Sequence, residues 1–261
     1  MVYFFAVTDE REDFMTDNAS LILYEDNEII VVRKPAGLPV QHKGFAVQDL
    51  ESILKNHTGN AYLAVIHRLD QPVEGLLVFA KSKKAAAALN ADMQAGKIKK
   101  EYMALTECGT EKYTPSGVLT DYLVKDGRTN TSRVAQKGAA GAKEARLSYT
   151  LLPETSDYKK GFALLQVVLD TGRHHQIRVQ LAHAGMPILG DRKYGVSAKE
   201  EDVYSGPLCL CAYRLTFIHP TSRKKMRFEA VPEFLSDPEV RKKITKNDGD
   251  STPAVADGKG G

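Results

Sequence analysis

The run Gly75-Leu76-Leu77-Val78-Phe79-Ala80 constrains the fold more than any other stretch of this sequence. It is continuously apolar, short for a helix, and bounded by Pro72 before it and Lys81-Ser82 after it, so it reads as a buried strand. Similar runs recur along the chain. Leu21–Tyr24 and Ile29–Lys34 flank Glu25-Asp26-Asn27, a hairpin turn. Lys99–Thr106 reads as a strand, Ala61–Ile66 as extended, and Arg146–Leu152 with Phe162–Asp170 as paired strands. Leu208–Ile218 and Lys224–Ala230 form a last hairpin around His219–Arg223. Helical spacing is confined to Val47–His57, to a helix capped by Ser82 and stopped by Gly96, and to about His174–Ala184, stopped by Gly185. Strands outnumber helices and turns join many of them. The expectation is an α+β fold: a largely antiparallel mixed sheet with flanking helices. Residues 1–20 read as an N-terminal extension, 21–240 as one folded domain and 245–261 as a disordered tail. Lys125–Lys143, polar and glycine-rich, reads as a mobile loop.

Composition excludes several classes. No apolar run approaches the roughly 20 residues of a membrane span, and the acidic N-terminus lacks the pattern of a signal peptide, so a cytoplasmic protein is expected. Three cysteines give no disulfide framework. Cys209 and Cys211 alternate in an apolar run and read as buried small hydrophobes. The net charge of +3 permits a nucleic-acid partner without requiring one. Basic residues gather at Lys81–Lys84, Lys97–Lys100, Arg128–Arg133 and Arg223–Lys225. Clusters sharing one face would make a phosphate footprint; alone, each is a solvated surface.

Two segments carry chemistry. In Ile66-His67-Arg68-Leu69-Asp70-Gln71-Pro72-Val73-Glu74-Gly75, polar residues lie between an apolar run and the buried strand, and Pro72 forces a loop. Asp70 is thus a carboxylate on a loop against a rigid core, a common place for a catalytic group. It could equally cap a turn or pair with Arg68. In Asp170-Thr171-Gly172-Arg173-His174-His175-Gln176-Ile177-Arg178, a strand ends and a helix begins, with Arg173 and the histidines at its anion-attracting pole. Arg178 lies beside the apolar stripe of Ile177, Leu181 and Ala184. If it points inward it needs a carboxylate, for which Asp70 is a candidate.

Together these segments resemble the signature motifs of the RluA-type RNA pseudouridine synthases. The first motif of that family is His-Arg-Leu-Asp, a short stretch, Gly, then an apolar strand. The second is Thr-Gly-Arg-x-His-Gln-Ile-Arg, continued by Gly-x-Pro-Ile-x-Gly-Asp and Tyr-Gly. Here the continuation is Gly185-Met186-Pro187-Ile188-Leu189-Gly190-Asp191 and Tyr194-Gly195. Lys100-Glu101-Tyr102, Arg33-Lys34-Pro35-Ala36-Gly37-Leu38 and Phe228–Pro232 fit as well, so the resemblance runs from about Leu21 to Leu235. Three features depart from it. Gln71-Pro72-Val73-Glu74 replaces the usual Arg/Lys-x-Thr-Ser. Cys211 replaces a histidine. No S4-type RNA-binding domain is expected ahead of residue 21.

The resemblance implies a pseudouridine synthase catalytic domain over 21–240, with its cleft across the sheet and no cofactor or metal. It implies action on structured ribosomal or transfer RNA by a monomer with no membrane and no obligate protein partner. Asp70 would be the nucleophile, Arg178 its ionic partner, and Tyr102 the residue against the target base with a hydroxyl for proton transfer at C5. Arg68 would fill the stack vacated by a flipped base, His67 would support the same loop, and Leu76 would be an apolar wall. Lys34 and Arg173 would contact phosphates. Two rivals are weaker: an RNA-binding relative without catalysis, suggested only by Gln71–Glu74, and a metal hydrolase using His174, His175 and His183, which lacks ligand spacing.

Overall fold

The computed structural model describes residues 2–5, 18–41, 48–107, 114–152, 161–195, 204 and 206–244. In chain order its elements are β1 (Val2–Phe5), β2 (Ile22–Glu25), β3 (Ile29–Lys34), α1 (Leu50–Thr58), β4 (Ala64–Val65), β5 (Glu74–Ala80), α2 (Lys83–Gln94), β6 (Lys99–Glu107), β7 (Ser116–Asp126), β8 (Thr131–Ala135), β9 (Lys143–Leu151), β10 (Phe162–Leu169), α3 (Gln176–His183), β11 (Leu210–Ile218), β12 (Lys225–Ala230) and α4 (Pro238–Ile244). All strands among the described residues join one sheet, along the path β2-β3-β5-β11-β6-β10-β9-β7-β8. Strand β4 sits on β5, β12 on β11, and β1 on β12. Only β5–β11 and β1–β12 are parallel, so the expected α+β, mainly antiparallel architecture holds.

Period-2 alternation divides the core into two layers. From β3 and β5, Ile30, Val32, Leu77 and Phe79 pack with Leu50 and Leu54 of α1 and Ile177 and Leu181 of α3. Their neighbours Ile29, Val31, Leu76 and Val78 face the opposite way and pack with Ala85, Ala86 and Leu89 of α2 and Phe228 of β12. Both faces of these strands are covered, which is why they read as unbroken apolar runs. Where β5 meets β11, Gly75 has a φ of 127°, and a Cβ there would lie 2.5 Å from the Ala212 backbone. Only glycine permits this approach, which brings the loop before β5 against β11.

Several elements differ from expectation. Residues 125–143 are not a mobile loop: β8 lies within them and pairs antiparallel with β7, whose far edge pairs with β9. Strand β7 was not apparent in the sequence. Helix α1 starts at Leu50 rather than Val47 because the Asp49 carboxylate accepts from Ser52 N at 2.7 Å and caps it there. Helix α3 starts at Gln176 rather than His174 because His175 is left-handed, with φ 54°. The 245–261 tail and Cys108 lie outside the described residues.

Candidate active site

Asp70 stands on the loop between β4 and β5, at the floor of a cleft of about 1720 Å³. That exceeds the range of about 300–1,000 Å³ typical of small-molecule pockets. The loop is held from behind. Val73 N donates to Asp70 O, Gly37 N donates to Gln71 O, and the Gln71 amide returns a bond to Gly37 O. Lys34 ties both segments together. Its fully buried ammonium donates to the carbonyls of Pro35, Leu38 and Gln71 at 2.8–2.9 Å. Lys34 therefore does not contact phosphates as expected: three inward-facing carbonyls take its donors. Burial pulls its pKa down to about 7, against the attraction of Asp70 and Glu74.

Arg178, on the first turn of α3, is 4% exposed. One guanidinium nitrogen lies 3.7 Å from Asp70 Oδ2, so the expected proximity holds. Its principal partner is a different carboxylate. Nε and a terminal nitrogen form a two-pronged pair with Asp191 at 2.8 and 2.7 Å. Burial pulls the Asp191 carboxyl upward, but Arg178 and the backbone N–H groups of Lys193 and Tyr194 hold it below its ordinary value. Burial pushes Asp70 upward more strongly than Arg178 and Lys34 pull it down, so its pKa is raised. Tyr102, buried on β6, lines the same cleft, and burial followed by the charge of Asp70 raises its phenol.

The other expected residues divide. Arg68 is exposed and lines the cleft beside Asp70. Arg173 is exposed on the rim, steadied by donation from Nε to Glu144 O. His67 lines the cleft and is buried, yet neither ring nitrogen has a hydrogen-bond partner among the described residues; burial and Lys100 push its pKa well down. Leu76 is not a wall of the cleft. The alternation of β5 turns it into the layer under α2, and Leu69, Ile177, Leu208 and Leu210 supply apolar lining instead. His183 lies apart, with its ring against Asp121 at 3.1 Å.

Two departures from the motif pattern turn out to be neighbours. Glu74 and Cys211 are register partners across β5–β11. The Glu74 carboxylate is buried against Arg33, accepts from Glu233 N, and leaves Oε2 without a hydrogen bond. Burial, then Glu233, raises it to about 7, and its charge helps push the buried Cys211 thiol up. Glu74 thus points into the body of the protein, while Gln71 and Pro72 line the cleft.

From sequence, Asp191, His175 and Tyr194 had no part in this site: His175 entered only at the helix pole and as a ligand of the rival metal site, and Tyr194 only within a motif. Asp191 was visible only as part of the Gly190-Asp191 motif. A buried Arg178 signals a strong carboxylate partner, but loop positions 13 residues away do not reveal which one. His175 Nε2 lies 3.6 Å from Asp70 Oδ2, and its Nδ1 lies 2.7 Å from the Tyr194 hydroxyl. Among the described residues that line the cleft, there are eight lysines and arginines and two carboxylates, Asp70 and Asp170. The cations include Lys99, Lys100, Lys125, Arg173, Arg192 and Lys193. Of the basic clusters in the sequence, Lys97–Lys100 contributes to this lining, whereas Lys81 is engaged by Glu25 and Asp26.

Comparison with known proteins gives a consistent answer. The family described as RNA pseudouridylate synthase matches residues 28–183. An RNA pseudouridine synthase of Aquifex aeolicus, without assigned target, is 34% identical over 236 residues, covering 85% of this chain and 71% of its own length. Ribosomal large subunit pseudouridine synthase C of Buchnera aphidicola (from Acyrthosiphon pisum) is 30% identical over 226 residues, covering 82% and 68%. The D enzyme of Xylella fastidiosa is 31% identical, covering 90% and 73%. The chain spans about two thirds of the length of these relatives. Human RNA pseudouridylate synthase domain containing 4 superposes with a TM-score of 0.67 at 23% identity, covering 85% of this chain and 92% of its own, a likeness of fold.

Proposed function

The chain belongs to the RNA pseudouridylate synthase family, and we propose that it isomerises uridine to pseudouridine in structured ribosomal or transfer RNA with Asp70 as the nucleophile. The observation that carries this reading is the setting of Asp70: a carboxylate, side chain 30% exposed, in a cleft whose charged lining among the described residues is otherwise almost entirely cationic. Such a cleft concentrates a polyanion, and its exposed lysines would meet phosphates. The reaction breaks the N–C glycosidic bond, turns the base and forms a C–C bond. No atom is gained or lost, so it calls for no cofactor.

Each residue has a task in this reading. Arg178, fixed by Asp191, favours the ionised form of Asp70 in a site that burial makes hostile to charge. Tyr102 lies against the base, with its hydroxyl placed for proton transfer at C5, where the proton lost by C5 is balanced by one gained at N1. Arg68, free at the lip, takes the place of the flipped base, since a stacked uridine cannot reach Asp70. Arg173 meets phosphate at the rim, and the unpartnered nitrogens of His67 serve the same loop or the entering nucleotide. The enzyme works as a monomer in the cytoplasm. Among the described residues no helix is long and apolar enough to cross a membrane.

Two relatives are named for the ribosomal large subunit, so ribosomal RNA is the first target to test. Pseudouridine mapping of total RNA with and without the gene should show loss at one or a few uridines. An unchanged map, together with no tritium release from C5-labelled RNA by the purified protein, would instead identify an RNA-binding relative without catalysis.

A further inference from the structure

We propose that His175 is a positioning residue for Asp70: as the neutral tautomer with its proton on Nε2, it donates to the Asp70 carboxylate, and Tyr194 sets that tautomer. The inference rests on the reading of Asp70 as nucleophile. It begins with the geometry of Arg178, whose two-pronged contact goes to Asp191 and which meets Asp70 through one nitrogen at 3.7 Å. His175 Nε2 is as close, at 3.6 Å, on a ring that is itself buried. Catalytic hydrogen bonds are commonly long before substrate tightens the site.

Hydrogen-bond bookkeeping favours one tautomer. Ser132 N can only donate, and it donates to the Tyr194 oxygen at 2.7 Å. The hydroxyl keeps its own proton to give, and His175 Nδ1 lies 2.7 Å away. An Nδ1 that accepts leaves the ring proton on Nε2, facing Asp70. Double protonation is opposed by burial and then by Arg178, whose guanidinium also lies over the Tyr194 ring at 5.1 Å; together with His174 they hold His175 down to about 3. His174 stacks on the ring at 3.8 Å and is itself tied to Ser132 Oγ and Asn130 Oδ1. His175 is also one of three non-glycine residues with positive φ among the described residues, and such strain commonly persists where the surroundings fix a side chain for a purpose. Through Ser132 and Tyr194, the β7–β8 hairpin is connected to the nucleophile.

The direct test is long-range ¹H–¹⁵N correlation of the His175 ring in the full chain. The proposal expects a neutral ring with Nε2 protonated from about pH 5 to 8, and Tyr194→Phe should abolish that preference. A ring protonated on Nδ1, or on both nitrogens, overturns it. Kinetics give a second reading. His175→Asn suits the left-handed backbone and can still accept from Tyr194, but it is too short to reach Asp70. Its kcat should fall about 10–100-fold with little change in KM, as expected for losing a hydrogen bond to a charged group. The acidic limb of its kcat profile should move to higher pH. The other groups facing Asp70 (Arg178, Asp191, Lys34, Tyr102 and Tyr194) keep their side chains, so this movement reports the lost donor. His175→Gln, whose amide nitrogen reaches the Nε2 position, should recover part of the rate. Wild-type kcat in His175→Asn, with Asp70→Asn inactive, would defeat this role and leave the nucleophile standing. An active Asp70→Asn would defeat the parent reading instead.

Discussion

Arg178→Ala should cost both stability and rate, for separable reasons. The guanidinium and the Asp191 carboxylate are 4% and 1% exposed and share two hydrogen bonds at 2.7–2.8 Å. Removing one member of a buried pair costs about 3–5 kcal/mol. The Asp191 carboxylate would keep backbone N–H donors from Lys193 and Tyr194 at 2.9 and 3.1 Å, which places the loss near the lower end. At about 2–4 °C per kcal/mol for a chain of this size, the melting temperature should drop by roughly 6–12 °C. The double variant Arg178→Ala/Asp191→Ala has no stranded charge, so its loss should fall short of the sum by at least about 1 kcal/mol. The rate effect has a different origin. Asp70 loses a cation 3.7 Å away while Lys34 remains, so its already raised pKa rises further and the acidic limb of the rate profile moves up. Thermal melts of the four proteins at one pH, with single-turnover rates against pH, measure both. Additive losses, or a melting temperature for Arg178→Ala within about 2 °C of wild type, would refute the buried-pair reasoning.

Gly75→Ala should destabilise by about 2–5 kcal/mol, because a Cβ would meet the Ala212 backbone at 2.5 Å in a left-handed conformation. Chemical denaturation checks this, and a near-neutral result would mean that the β5–β11 junction yields easily. Glu74 is raised from 4.5 to about 7, so the folded chain holds a proton that the unfolded chain releases. Its contribution is full below about pH 4.5 and is lost as pH rises towards 7, so Glu74→Gln should flatten a decline of up to about 3 kcal/mol across that window. An identical decline in the variant would assign it to other groups. Tyr102→Phe keeps the ring but not the hydroxyl. RNA binding should stay within a few-fold while the single-turnover rate falls about 10²–10⁴-fold, and an unchanged rate would make Tyr102 a packing residue.

The parts of the fold that the sequence revealed are those with a local cause. Strands β3 and β5 are buried on both faces and therefore unbroken in apolar residues, and Ser82 caps α2 through its own side chain, accepting from Ala85 N. Strand β7 lacks such a signal. Its Ser116–Asp126 residues are largely exposed or half-buried, with Leu123 alone buried, so a backbone ladder to β9 and β8 holds it more than any side-chain pattern. The same ladder explains why Gly127, Gly138 and Gly141 suggested a loop where β8 and the start of β9 lie. Asp70, Tyr102, Arg68 and Arg173 stand in motifs that can be read from the sequence, and the fold brings all four to one cleft. Lys34 was misread because a lysine is ordinarily solvated, and only the folded loop supplies its three carbonyls. Leu76 was misplaced by one residue of strand alternation, which is enough to reverse its face. The network of Asp191, Tyr194, His175 and Ser132 joins a loop, the N-cap of α3 and the β7–β8 hairpin, so it exists only once the chain is folded.

The central claim is that Asp70 performs the chemistry, and Asp70→Asn tests it most directly. The substitution keeps the size of the side chain and removes its charge and nucleophilicity. Tritium release from C5-labelled RNA, measured beside a melting curve and an RNA-binding isotherm, separates chemistry from folding and affinity. The variant should fold, bind RNA and show no measurable turnover. Turnover above about a thousandth of wild type would contradict the claim, because losing a nucleophile costs many orders of magnitude.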